Sequence, residues 1–205
     1  MDREQTRVKM CGLRRPEDIT AANEVQPEYI GFVFYPGSRR YVTPAAARAL
    51  RERLAPGIRA VGVFVDENPA EAARLLEEGV IDLAQLHGHE DEAYLAEVRK
   101  RTDKPMIQAF RIRTPEDVLR AQQSSAEYIL LDAGAGDGRT FDWELLRNAD
   151  RPFFLAGGLT PENVGQAVRE LKPYAVDVSS GIETDGIKDE GKMRAFMRAV
   201  RGKHE

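Results

Sequence analysis

A chain of 205 residues with 42% hydrophobic and 31% charged content can bury one sizeable core, and a single domain over residues 1–205 is expected. Its 30 Lys and Arg against 34 Asp and Glu leave a net charge of −4, without the basic footprint of a nucleic-acid binder. The charged N-terminus Met1–Gln5 has no signal-peptide core, and no apolar run nears the ~20 residues of a membrane span, so a cytoplasmic, non-membrane protein is expected.

The first strand signal is Val8–Cys11, closed by Gly12. Cys11 is the only cysteine, which rules out an internal disulfide and a cysteine-built metal site. It is left with acid/base chemistry or with packing as a small hydrophobe. Further apolar runs follow at Tyr29–Phe34, Ala60–Val65, Ile81–Leu86, Pro105–Phe110, Tyr128–Asp132, Pro152–Ala156 and Tyr174–Ser179. They start about 21 to 24 residues apart, except for one gap of about 31 after the second. Nearly continuous apolar runs suit parallel strands covered on both faces.

Between them lie helical patterns, Ala45–Leu54, Ala70–Glu78, Glu116–Gln123 and Glu162–Leu171 among them. Each is preceded by a cap and a proline: Thr43-Pro44, Asn68-Pro69, Thr114-Pro115 and Thr160-Pro161. Strand then helix, eight times, predicts an α/β fold of the (β/α)8 barrel type. An open doubly wound sheet would want a glycine-rich turn after its first strand, where only Gly12 stands.

A barrel carries its chemistry at the C-terminal strand ends. These offer Cys11, the loop Pro36–Arg40, Asp66, His87, Arg111, Asp132, Gly157-Gly158 and Ser179-Ser180-Gly181. The last two follow the seventh and eighth strands, where barrels often cradle phosphate on backbone N–H groups. Asp132 ends four apolar residues and points to the barrel mouth, although a solvated loop acid gives the same pattern. The loop Ala133–Arg139 after it is either a closing lid or a plain connection. Of Arg39 and Arg40, one can grip an acid with a two-pronged bond, if the pair is not simply surface charge. His87 is a base, a ligand or a polar lining residue; His89 and His204 do not complete metal spacing with it, and no metal is expected.

In order and spacing these residues resemble the phosphoribosylanthranilate isomerases of tryptophan biosynthesis. The resemblance runs nearly end to end. It rests on Val8–Gly12, Gly31–Phe34 with Ser38–Tyr41, Gln85–Gly88, Leu130–Asp132 and Thr140–Trp143. It continues through Gly157–Leu159 with Pro161–Val164, and Val176–Glu183. Met10 stands where the family often has isoleucine.

The resemblance implies a (β/α)8 barrel that converts N-(5-phosphoribosyl)anthranilate to 1-(2-carboxyphenylamino)-1-deoxyribulose 5-phosphate, an Amadori rearrangement without cofactor. It implies Cys11 as general base, Asp132 as general acid and Arg40 as the anthranilate-carboxylate ligand. Gly157, Gly158, Ser180 and Gly181 would hold phosphate, and His87 and Asp177 would join the substrate-binding set. The partner would be a small phosphosugar, and the protein a monomer or homodimer. For this chemistry Asp132 should have a raised pKa and Cys11 a lowered one, with Lys9, two residues earlier on the same strand face, assisting the thiolate. Arg39 should face solvent. The histidine-pathway isomerase resembles this pattern but places aspartate where Cys11 stands. Indole-glycerol-phosphate synthase would need a lysine at the third strand end, which here reads Val63-Phe64-Val65-Asp66. A non-catalytic phosphate-binding barrel would have no use for Cys11 and Asp132 together.

Overall fold

Eight parallel strands close into a barrel in the order in which they occur in the chain. The structure is a computed structural model that describes residues 5–134 and 143–202. The expected loop Ala133–Arg139 lies outside these residues from position 135 onward, as does Thr140–Asp142 of the quoted motif.

The elements run β1 (Arg7–Cys11), α1 (Pro16–Val25), β2 (Tyr29–Val33), α2 (Pro44–Arg51), β3 (Arg59–Phe64), α3 (Pro69–Glu77), β4 (Leu83–Leu86) and α4 (Glu92–Arg99). They continue as β5 (Met106–Arg111), α5 (Pro115–Gln122), β6 (Tyr128–Asp132), β7 (Phe153–Ala156), α6 (Val164–Leu171) and β8 (Ala175–Val178). A two-stranded hairpin, β9 (Glu183–Thr184) and β10 (Ile187–Lys188), precedes α7 (Glu190–Arg201).

Two expectations about helices need correction. Among the described residues the segment between β6 and β7 holds a 3-10 helix, Trp143–Asn148, and no α-helix. Thr160-Pro161 does not open α6 either. Asn163 bends back to accept from the Thr160 N–H at 2.8 Å and to donate to the Gly158 carbonyl at 2.9 Å, so a turn comes first and the helix starts at Val164. The other three caps act as read. Thr43 accepts from the Ala46 N–H and Asn68 from the Ala70 N–H, while Asp117 turns back to the Thr114 N–H.

Side chains alternate along each strand between the barrel interior and the helix layer. Outward residues such as Met10, Ile30, Phe32, Ile129 and Val176 form the large core under the helices. Inward residues stack in layers. Tyr29, Val61, Leu83, Ile107, Leu130 and Phe154 fill the lower interior. Tyr128 and Tyr174 pack beside them at the N-terminal end, where Arg7 and Arg59 lie over the Tyr174 and Tyr29 rings. Cys11, Val33 and Val63 make a layer above. The same parity carries Gln85, His87, Arg111, Asp132, Asp177 and Ser179 inward as the strands end, so one rule of alternation assembles the mouth of the barrel.

Candidate active site

At the C-terminal end of the barrel lies a cleft of about 580 Å³. Of the expected site residues, Cys11, Arg40, His87, Asp132, Gly157, Gly158, Asp177 and Ser180 all line it. Asp66 and Gly181, also offered by the strand ends, do not. Asp66 turns to His89, accepting from its backbone N–H at 2.6 Å. Gly181 sits behind the wall, where an added Cβ would lie 1.9 Å from the Leu159 carbonyl oxygen. Its lack of a side chain lets the loops after β7 and β8 close on one another. Gly157 is packed as tightly, with an added Cβ 2.1 Å from the Gly134 nitrogen. Gly158 differs: a Cβ there meets nothing within 4 Å, but its φ of +64° disfavours any branched residue. Among the described residues, the N–H groups of Gly157, Gly158 and Ser180 have no hydrogen-bond partner, which suits them to an anion.

Cys11 pairs in register with Gly31 of β2. An added Cβ at Gly31 would stand 2.7 Å from the Cys11 sulfur, so glycine there makes the space the thiol occupies. Burial, with the negative charge of Asp177, pushes the Cys11 thiol up; the Lys9 and Lys188 charges oppose the shift without overcoming it. The expected lowered pKa is therefore not found in the free protein. Lys9 does lie where the strand pattern put it, fully buried, with its Nζ donating to Asp177 Oδ1 at 2.9 Å. Burial works against its charge, but Asp177 and, to a lesser degree, Cys11 together outweigh burial and its pKa rises. Asp177 thus holds Lys9 in place as an ammonium below the thiol.

Asp132 is also opposite to expectation. Burial would raise its pKa, but His87, the Gly134 N–H at 2.9 Å and the charge of Arg111 outweigh burial, and the carboxyl falls below the ordinary aspartate value. His87 Nε2 lies 3.3 Å from Asp132 Oδ2. The Gln85 amide nitrogen lies 3.0 Å from His87 Nδ1, at hydrogen-bond distance. The resting site therefore holds a thiol and a carboxylate.

Arg40 reaches the cleft with its guanidinium edge already engaged. Its Nε and Nη2 donate to Glu183 Oε1 and Oε2 at 2.6 and 2.8 Å. Arg39 is exposed as expected, at 62% of its side chain, though it also donates to Glu183 Oε2 at 3.1 Å.

Sequence reasoning left Gln85, Arg111, Asn163, Glu183 and Lys188 without roles. Gln85 and Arg111 carried a signal, since each shares strand parity with a residue that had been chosen. Glu183 closes the quoted motif Val176–Glu183 without a role of its own, and Lys188 carried no signal, because only the hairpin fold brings the two together.

The family model for N-(5'-phosphoribosyl)anthranilate (PRA) isomerase matches residues 8–199. The chain is 44% identical to the N-(5'-phosphoribosyl)anthranilate isomerase of Dechloromonas aromatica, across 96% of this chain and 97% of that one. Its fold matches the phosphoribosyl anthranilate isomerase of Thermotoga maritima with a TM-score of 0.88, at 36% identity over 96% of this chain and 99% of that one. It also matches, with a TM-score of 0.86, 37% identity and coverage of 96% and 99%, a phosphoribosyl anthranilate isomerase solved with reduced 1-(o-carboxyphenylamino)-1-deoxyribulose 5-phosphate. A cysteine and an aspartate facing one cleft below unpaired backbone N–H groups accord with that likeness, and the chain belongs to the N-(5'-phosphoribosyl)anthranilate isomerase family.

Proposed function

We propose that Cys11 and Asp132 carry out the isomerisation of N-(5-phosphoribosyl)anthranilate to 1-(2-carboxyphenylamino)-1-deoxyribulose 5-phosphate. The observation that carries this reading is that both groups line one cleft, with anion-ready N–H groups on one wall and Arg40 on another. Asp132 as a carboxylic acid protonates the furanose ring oxygen, and the ring opens to an iminium. Cys11 as a thiolate then takes the proton from C2′, giving an enolamine that tautomerises to the ketone.

The working pair, thiolate and carboxylic acid, carries the same single proton as the resting pair of thiol and carboxylate. No net uptake is needed, only a redistribution between the two groups. Burial of the thiol opposes that redistribution, while the ammonium groups of Lys9 and Lys188 favour it. His87 and Arg111 set its cost at the other end by holding Asp132 ionised.

The phosphate is assigned to the N–H groups of Gly157, Gly158 and Ser180. Inorganic phosphate at about 100 times its Kd should stabilise the protein by about 2.7 kcal/mol, raising Tm by roughly 5–10 °C. Gly158→Val should lose this shift, measured against its own Tm, because a branched residue is strained at φ +64° and fills the open space above the loop. A full shift in that variant would move the phosphate elsewhere.

Arg40 is assigned to the anthranilate carboxylate. Arg40→Ala should lower kcat/KM by about 1.5–3 kcal/mol, the worth of a hydrogen bond to a charged group. Lysine should restore only part of it, having charge without the planar fork. Arg39→Ala should cost far less, since that side chain is solvent-exposed and does not line the cleft. Steady-state kinetics of the variants test the assignment: a larger loss in Arg39→Ala would reverse the pair, and silence in both would place the carboxylate on another group.

A further inference from the structure

Glu183 is the most heavily engaged carboxylate near the cleft, and the chemistry above makes no use of it. Its side chain is 4% exposed. Oε1 accepts from Arg40 Nε at 2.6 Å and from Lys188 Nζ at 2.7 Å, and Oε2 accepts from Arg40 Nη2 and Arg39 Nη2. Burial would raise its pKa, but the Arg40 and Lys188 bonds and charges hold it at about 2. It is an anion at every working pH.

Lys188 is also buried, at 2% exposure, and it extends the contact. Its Nζ donates to the Ser179 carbonyl at 2.9 Å and lies 3.4 Å from the Ser179 hydroxyl. That hydroxyl in turn donates to the Cys11 carbonyl at 3.1 Å. A continuous set of bonds thus runs from Arg40 through Glu183 and Lys188 to the start of the loop that holds Ser180. The hairpin that presents both residues is anchored from behind, where Lys192 Nζ donates to the Glu183 carbonyl at 2.6 Å.

The stem of Arg40 is confined as well. It crosses Gly12, where an added Cβ would lie 2.4 Å from Arg40 Cδ. Glu183 takes the Nε and Nη2 edge, and among the described residues Nη1 makes no hydrogen bond. One edge of the fork is fixed and the other is left for a ligand. Three cations share this one carboxylate, an excess of two positive charges. The substrate brings two acidic groups, a carboxylate and a phosphate.

We infer that Glu183 is a positioning residue that fixes Arg40 relative to the phosphate loop and so determines selectivity for aminoaldoses with an ortho-carboxylate. This rests on the assignment of Arg40 to that carboxylate. A side chain as long as arginine loses much rotamer entropy when it is ordered. Holding it before the ligand arrives removes that cost from binding. A neutral residue at 183 would keep the packing and release the fork.

The test is calorimetric binding of two compounds to the full-length protein: reduced 1-(o-carboxyphenylamino)-1-deoxyribulose 5-phosphate, and the same compound without its carboxyl group. The parent should prefer the first by about 10- to 100-fold, and Arg40→Ala should lose that preference. Glu183→Gln should lose most of it too, while binding the carboxyl-free compound within about twofold of the parent, and adding Glu183→Gln to Arg40→Ala should change the preference no further. A merely structural role would weaken both compounds equally and leave the ratio unmoved, which would overturn the inference. Full preference in Glu183→Gln, with loss in Arg40→Ala, would overturn it alone. Full preference in Arg40→Ala would overturn the Arg40 assignment and the inference with it. If Glu183→Gln does not fold, Glu183→Gln combined with Lys188→Met removes the buried anion with one buried cation, and the same loss of preference is expected there.

Discussion

Replacing Cys11 with serine is expected to lower kcat by about 10²- to 10⁴-fold, the usual worth of a positioned base. Binding of the product analogue should change little. The substitution is nearly isosteric, and the pocket it enters is already shaped by Gly31, so the fold should survive with its Tm nearly unchanged. The loss is chemical. A serine hydroxyl is a far weaker acid than a thiol, and the Lys9 and Lys188 charges that favour a thiolate cannot bring it into the working range. Steady-state turnover near that of the parent would return Cys11 to a packing role.

Asp132→Asn should cost a similar factor, because the amide keeps the shape and has no acidic proton to give. Its pH dependence is more informative. The active form needs a protonated group whose pKa is lowered and an ionised group whose pKa is raised. Below the pKa of Asp132 the acid is fully protonated, the thiolate fraction falls with each unit, and the rate falls with it. Between the two pKa values the gain in thiolate cancels the loss of acid, giving a plateau. Above the pKa of Cys11 only the acid is still being lost, and the rate falls again. The parent should therefore show a broad bell in kcat/KM. In Asp132→Asn the plateau and the alkaline limb should vanish, and the residual rate should climb with pH until the thiol is ionised and then stay level. A variant that kept both limbs would mean that another group donates the proton.

Why these directions were not legible from sequence is a question of what closes around each group. Asp132 at the end of four apolar residues was readable as an acid at the barrel mouth, because strand parity aims it inward. His87 shares that parity and so lies close enough to hold the acid ionised, but the distance is set by strands β4 and β6, which are not neighbours in the sheet. Lys9 was readable for the same reason as Asp132. That its charge would lose to burial at Cys11 was not, since burial depends on the whole upper layer.

Local signals fared according to how local they were. Thr43 and Asn68 cap as their neighbours predict, because a cap concerns only the next three residues. Thr160-Pro161 carries the same signature and fails, because Asn163 ties Thr160 back to Gly158 and keeps the loop wound before the helix begins. The glycines of the phosphate loops were readable as a pair of small-residue turns. Their separate reasons were not: Gly181 is required by contacts with another loop, Gly158 by its own backbone angle, and Gly157 by both.

In the proposed mechanism Cys11 removes the C2′ proton and Asp132 opens the ring, two different steps of one reaction. Single-turnover rates with substrate deuterated at C2′ separate them. In Cys11→Ser proton abstraction becomes the slow step, and a primary isotope effect on the chemical rate is expected. In Asp132→Asn ring opening becomes slow, and deuterium at C2′ should leave the rate unchanged. A primary effect in Asp132→Asn with none in Cys11→Ser would exchange the two roles, and equal effects in both would contradict the account.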